Sequence, residues 1–150
     1  MQTADLGRGL ADILEVGDIV ILRGDVGAGK TTLVRAVARA LGIEEPVTSP
    51  TYTLANRYLG RVPLLHIDAY RVADPDDEEL GLLLDGADAA ITFVEWPDVL
   101  GDVVVAARVT VDMEHRGPRE RLVILASGDA ATSSALSLLV DDLRARHLHP

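Results

Sequence analysis

An α/β fold, built on a mostly parallel sheet flanked by helices, is predicted for this chain by three observations. Short β-branched or apolar runs alternate with segments of helical periodicity along most of its length. Two of those runs, Leu64-Leu65-His66-Ile67-Asp68 and Ala90-Ile91-Thr92-Phe93-Val94-Glu95, end on a carboxylate where a buried parallel strand would emerge from the sheet. A glycine-rich turn from Gly24 to Gly29 joins the first apolar run to the helix that follows it.

Taken in order, Leu6, Leu10, Ile13 and Leu14 form a stripe at helical spacing, with Thr3 or Asp5 as the cap and Gly17 as the stop. Asp18 to Arg23 is a strand. Leu33, Val34, Val37, Ala40 and Leu41 predict a second helix that Gly42 ends. A polar, Pro-broken stretch from Val47 to Leu54 follows, and Arg57 to Pro63 is expected to form a hairpin-like turn before the strand at 64–68. Acidic residues from Asp74 to Glu79 load the start of a third helix through Leu84, which Asp85-Gly86 closes. The strand ending at Glu95 is broken by Trp96-Pro97. Val103 to Val111 and Arg121 to Ala126 are two late strands, an antiparallel hairpin turning near Gly117-Pro118, and a helix over about Ala130–Arg146 completes one domain over 1–150.

Composition narrows the function. The 150 residues are 48% hydrophobic with a formal net charge of -10, enough apolar content for one core and the wrong sign for unaided binding to a nucleic acid. The longest apolar runs fall short of the roughly 20 residues that span a bilayer. No secretory pattern opens the sequence and there is no cysteine, so a cytoplasmic, disulfide-free protein without a membrane span is expected.

Arginine occurs throughout, whereas Lys30 is the single lysine. It lies in Gly24-Asp25-Val26-Gly27-Ala28-Gly29-Lys30-Thr31, which fits G-x-x-x-x-G-K-[ST] with a strand before and a helix after, the P-loop pattern. Gly27 and Gly29 permit conformations closed to other residues, so that amide hydrogens from Asp25 through Thr32 turn inward around a phosphate at a helix N-terminus. Lys30 is then placed for the β- and γ-phosphates, Thr31 for magnesium, and Thr32 for a phosphate oxygen. A P-loop NTPase-like domain binding ATP and Mg2+ is the expectation.

Such a site needs a carboxylate from a neighbouring strand to hold the magnesium or its waters, and Asp68 and Glu95 both qualify. Thr51, in Ser49-Pro50-Thr51-Tyr52, reads either as a hydroxyl that senses a γ-phosphate or as an ordinary loop residue. His66 reads as a base or as a packed strand residue; Trp96 as a stacking platform, a partner anchor or core.

The ordered set Ser49-Pro50-Thr51-Tyr52-Thr53-Leu54, His66-Ile67-Asp68-Ala69-Tyr70-Arg71, Asp74-Pro75 and Val94-Glu95-Trp96, together with the P-loop, resembles the TsaE family, also called YjeE, over nearly the whole chain. The resemblance implies a bacterial ATPase subunit that works with TsaB and TsaD in forming threonylcarbamoyladenosine beside the tRNA anticodon, meeting tRNA only through that complex. By position it implies that Lys30 and Thr31 bind phosphates and magnesium, that Glu95 holds magnesium, and that Asp68 and Thr51 support hydrolysis. Arg71 and Trp96 carry weaker roles; no motif assigns the adenine contact, for which Arg119 and Arg121 are candidates.

A GTPase would need a guanine-reading N-K-x-D segment, which a chain whose only lysine is Lys30 and only asparagine is Asn56 does not contain. A P-loop small-molecule kinase and a non-catalytic nucleotide-dependent adaptor are the alternatives.

Overall fold

The computed structural model describes residues 3–50, 54–70, 75–100 and 106–148. Helix α1 (Thr3–Ile13) leads into strand β1 (Ile19–Arg23), and the glycine-rich turn delivers the chain to helix α2 (Lys30–Ala40). Strands β2 (Ala55–Tyr58) and β3 (Leu64–Asp68) follow, then helix α3 (Asp77–Leu83), β4 (Ile91–Glu95), β5 (Val109–His115), β6 (Arg121–Ala126) and helix α4 (Ala130–Leu148). Single 3-10 turns flank β4 at Ala87–Ala89 and Pro97–Val99.

One mixed sheet carries the strands in the order β2-β3-β4-β1-β5-β6. The four inner strands run parallel, whereas β2 and β6 lie antiparallel at the edges. Because side chains alternate across a strand, Val20, Leu22, Leu64, Ile91, Phe93, Val109 and Val111 pack with α1, α2 and α4 in one core, while Ile21, Leu65, Ile67 and Val94 meet Leu83 and Leu100 on the opposite face. The parallel centre and the antiparallel late hairpin are as expected.

Three boundaries differ from the sequence reading. Arg57 and Tyr58 belong to the edge strand β2, paired with Leu65 and Leu64, so the turn is only 59–63. The first late strand begins at Val109 and runs on to His115; residues 106–108 precede it and 101–105 lie outside the described residues. What marks this strand is alternation, with Val109, Val111 and Met113 buried and Thr110 and Asp112 between them, rather than the continuous apolar run before it. Helix α3 starts three residues after the expected acidic onset, because Asp76 caps it: its side chain accepts from Glu79 N while the Glu79 side chain accepts from Asp76 N.

Candidate functional site

The parallel strands β1, β3 and β4 end side by side, Leu22 in register with Glu95 and Glu95 with Asp68, so their last side chains and the glycine-rich loop share one edge of the sheet. The loop takes its path from its glycines: φ is +139° at Gly24, +80° at Gly27 and +106° at Gly29. At Gly24 a Cβ would stand 2.3 Å from the Met113 carbonyl oxygen, so no other residue fits against β5. Gly29 is the left-handed residue that starts α2, and Lys30 and Thr31 occupy its first turn.

Lys30 is 5% exposed. Its ammonium donates to the carbonyls of Gly24 and, at 3.1 Å, Asp25, and stands 4.7 Å from the centre of the Trp96 ring. Trp96 holds φ +56°, a conformation uncommon for a bulky side chain, and its ring lies 4.9 Å from that of Tyr70. Asp25, Val26 and Gly27 are exposed at the loop tip and Ala28 is fully buried beneath it.

Thr31 Oγ1 donates to Glu95 Oε1 at 3.2 Å. Glu95 itself is 4% exposed, and the same Oε1 lies 2.9 Å from Nε2 of His66, which is fully buried. Asp68, the neighbour of Glu95 across the ladder, accepts from Ser49 Oγ at 3.3 Å and from Tyr70 N at 3.1 Å. Thr32 is exposed and borders a groove between α1 and α2 with Thr3 and Arg35 rather than the strand-end cluster.

Lys30, Thr31, Asp68, Glu95 and Trp96 are therefore brought together, while Thr51 and Arg71 lie outside the described residues. His66 reaches no surface and sits against Glu95. Arg121 meets the loop itself: Nε donates to Ala28 O at 3.1 Å and Nη2 to Gly27 O at 3.4 Å, clasping the loop from β6. Sequence reasoning missed both connections. Period-two alternation, which sets His66 and Glu95 on the same sheet face, was the available signal for the first; only tertiary structure reveals the second. A cavity of about 610 Å³ opens beside Arg121, bounded by Leu6, Met113, Arg116 and Arg119.

Chemically, the arrangement offers an ammonium and a glycine-lined helix N-terminus to an anion, and a hydroxyl with a carboxylate, both hard oxygen donors, to a small cation. Among the described residues no three His, Asp or Glu side chains form a ready-made metal cage. No described helix is long and apolar enough to cross a membrane.

Comparison with known proteins gives one family. The family model described as "Threonylcarbamoyl adenosine biosynthesis protein TsaE" matches residues 1–123. A relative from Nostoc sp. strain PCC 7120, named tRNA threonylcarbamoyladenosine biosynthesis protein TsaE, is 42% identical over 102 residues, 65% of this chain and 63% of that protein. The protein of the same name from Bacillus subtilis strain 168 is 32% identical over 147 residues, 97% of this chain and 89% of its own length. The crystal structure of YdiB from Bacillus subtilis superposes with a TM-score of 0.71 at 25% identity, covering 93% of this chain and 88% of that one.

Proposed function

The chain belongs to the TsaE family of tRNA threonylcarbamoyladenosine biosynthesis proteins, and from that membership we propose that it is the ATP- and magnesium-binding ATPase subunit of this modification, acting with TsaB and TsaD. In this reading residues 1–150 are one P-loop NTPase-like domain, cytoplasmic, touching tRNA only through the complex. The observation that carries it is the 3.2 Å hydrogen bond to Glu95 from Thr31, the residue that follows the only lysine in the chain. A hydroxyl and a carboxylate so placed would hold a magnesium ion as hard oxygen donors.

Lys30 exchanges the Gly24 and Asp25 carbonyls for β- and γ-phosphate oxygens, and the loop from Asp25 to Thr32 turns its amide hydrogens to the same anion, that of Ala28 leaving its 3.0 Å bond to Asp25 O to do so. Magnesium, when bound, neutralises charge on the phosphates. Thr31 and Glu95 would hold it, and Asp68, fixed by Ser49 and the Tyr70 amide, would orient the attacking water, with Thr51 supporting hydrolysis as the family resemblance implies. The net charge of -10 supports indirect rather than direct contact with tRNA.

The deciding experiment measures ATP hydrolysis by the chain alone, with TsaB and TsaD, and with a panel of small hydroxyl acceptors. Stimulation by the two proteins is expected. Phosphate transfer to an acceptor would establish a kinase, and nucleotide binding without turnover in any mixture would establish an adaptor.

A further inference from the structure

We infer that His66 is a positioning residue that locks the Glu95 carboxylate in the orientation a magnesium ion requires. The inference rests on the reading of Glu95 as a magnesium ligand and extends it to a residue that cannot itself reach the ion. Strand alternation places Leu64, His66 and Asp68 on the α2 face of β3, and Ile91, Phe93 and Glu95 on the same face of β4. The parallel register, His66 opposite Phe93 and Asp68 opposite Glu95, brings the imidazole within 2.9 Å of Glu95 Oε1.

A carboxylate turns easily about its last torsion, so its orientation is set by the donors it meets. Glu95 Oε1 has two, Thr31 Oγ1 from the loop side and His66 Nε2 from the interior. The threonine hydroxyl is the group that a metal would claim. The histidine, with 0% exposure, meets Glu95 from the interior, on the side away from ligand and water. Donors in this outer layer fix ligating carboxylates, and their loss typically weakens metal binding about 10- to 100-fold.

Simple packing does not explain the residue. Nδ1 of His66 is buried without a hydrogen-bond partner among the described residues, a cost that leucine at this place would not incur. The imidazole therefore contributes through Nε2, donating its hydrogen to Glu95.

The test compares the parent with His66→Leu, His66→Gln and Glu95→Ala, reading the affinity for Mn2+ of each protein saturated with ADP by electron paramagnetic resonance, and ADP affinity without metal by calorimetry. His66→Leu should bind Mn2+ about ten-fold more weakly with metal-free ADP affinity unchanged, and His66→Gln, whose amide can replace the Nε2 donor, should recover most of the loss. Nitrogen NMR of the ligand-free parent should show a hydrogen on Nε2 of His66, a readout that survives even if His66→Leu does not fold. A bare Nε2, a His66→Leu affinity within about two-fold of the parent, or a folded His66→Gln no better than His66→Leu would overturn the proposal. An unchanged Mn2+ affinity in Glu95→Ala would overturn the metal role of Glu95 and this inference with it; a loss in Glu95→Ala alone would overturn only the role of His66.

Discussion

Arg121 donates from Nε to the Ala28 carbonyl at 3.1 Å, tying the edge strand β6 to the glycine-rich loop at the far side of the sheet from β3. The same guanidinium holds Gly27 O and, through Nη1, Gly117 O at 3.0 Å and Glu120 O at 2.8 Å, so it joins the loop to the β5–β6 turn. Ala28 O belongs to the peptide whose N–H is that of Gly29, so a cation on the oxygen strengthens that N–H as a donor to phosphate. Replacing Arg121 with alanine is expected to weaken ATP binding about ten-fold, since a hydrogen bond to a charged group contributes about 1.5 to 3 kcal/mol and this one is partly solvent-screened. Calorimetric titration of Arg121→Ala and Arg121→Lys checks it. Lysine restores one donor and should recover part of the affinity; parent-like binding in the alanine variant would show the clasp to be incidental.

The ammonium of Lys30 is satisfied by two loop carbonyls and the Trp96 ring, contacts that a phosphate can replace. Lys30→Ala is therefore expected to leave the far-ultraviolet circular dichroism unchanged while weakening ATP binding by about a hundred-fold or more, the loss of up to two strong charge-assisted bonds. No other lysine exists to substitute for it. Affinity equal to that of the parent would remove the cradle from the function.

The parts of this site that local sequence revealed are those whose signal is contained in a short window. The glycine spacing from Gly24 to Gly29, the single lysine and the acids at the ends of β3 and β4 all belong to that class. Their convergence needed only the rule that parallel strands open on one edge, and Asp68 and Glu95 are indeed neighbours across the ladder. The His66–Glu95 bond required the register of β3 against β4 and the Arg121 clasp required the position of β6, neither of which any short window encodes. Edge strand β2 was hidden for another reason. Ala55-Asn56-Arg57-Tyr58 has little β-branched character and pairs on one side only, so neighbours rather than propensity make it a strand.

The entry to α4 provides a stability prediction independent of nucleotide. Asp129, one residue ahead of the helix, accepts from Thr132 Oγ1 at 2.6 Å and from Thr132 N at 2.7 Å, while Arg108 Nε donates to the Thr132 hydroxyl at 2.9 Å. The Thr132 hydroxyl first, then its amide, hold the Asp129 carboxyl below its ordinary range against an opposing effect of desolvation, and the charge of Arg108 adds the least to the lowering. A carboxylate with a lowered value in the folded state binds fewer protons there than in the unfolded chain, so its contribution is fully present above the ordinary aspartate value of about 4 and is lost as pH falls through the folded value. Asp129→Ala should therefore melt at a lower temperature than the parent at neutral pH, and the difference should shrink as the pH is lowered from about 5. Asp129→Asn, which keeps an acceptor oxygen but no titrating charge, should retain part of the stability and lose the pH dependence. Thermal melts of the three proteins across that window decide it: a difference between parent and Asp129→Ala that stays constant with pH would mean that the hydrogen bonds cap the helix without favouring the ionised carboxylate.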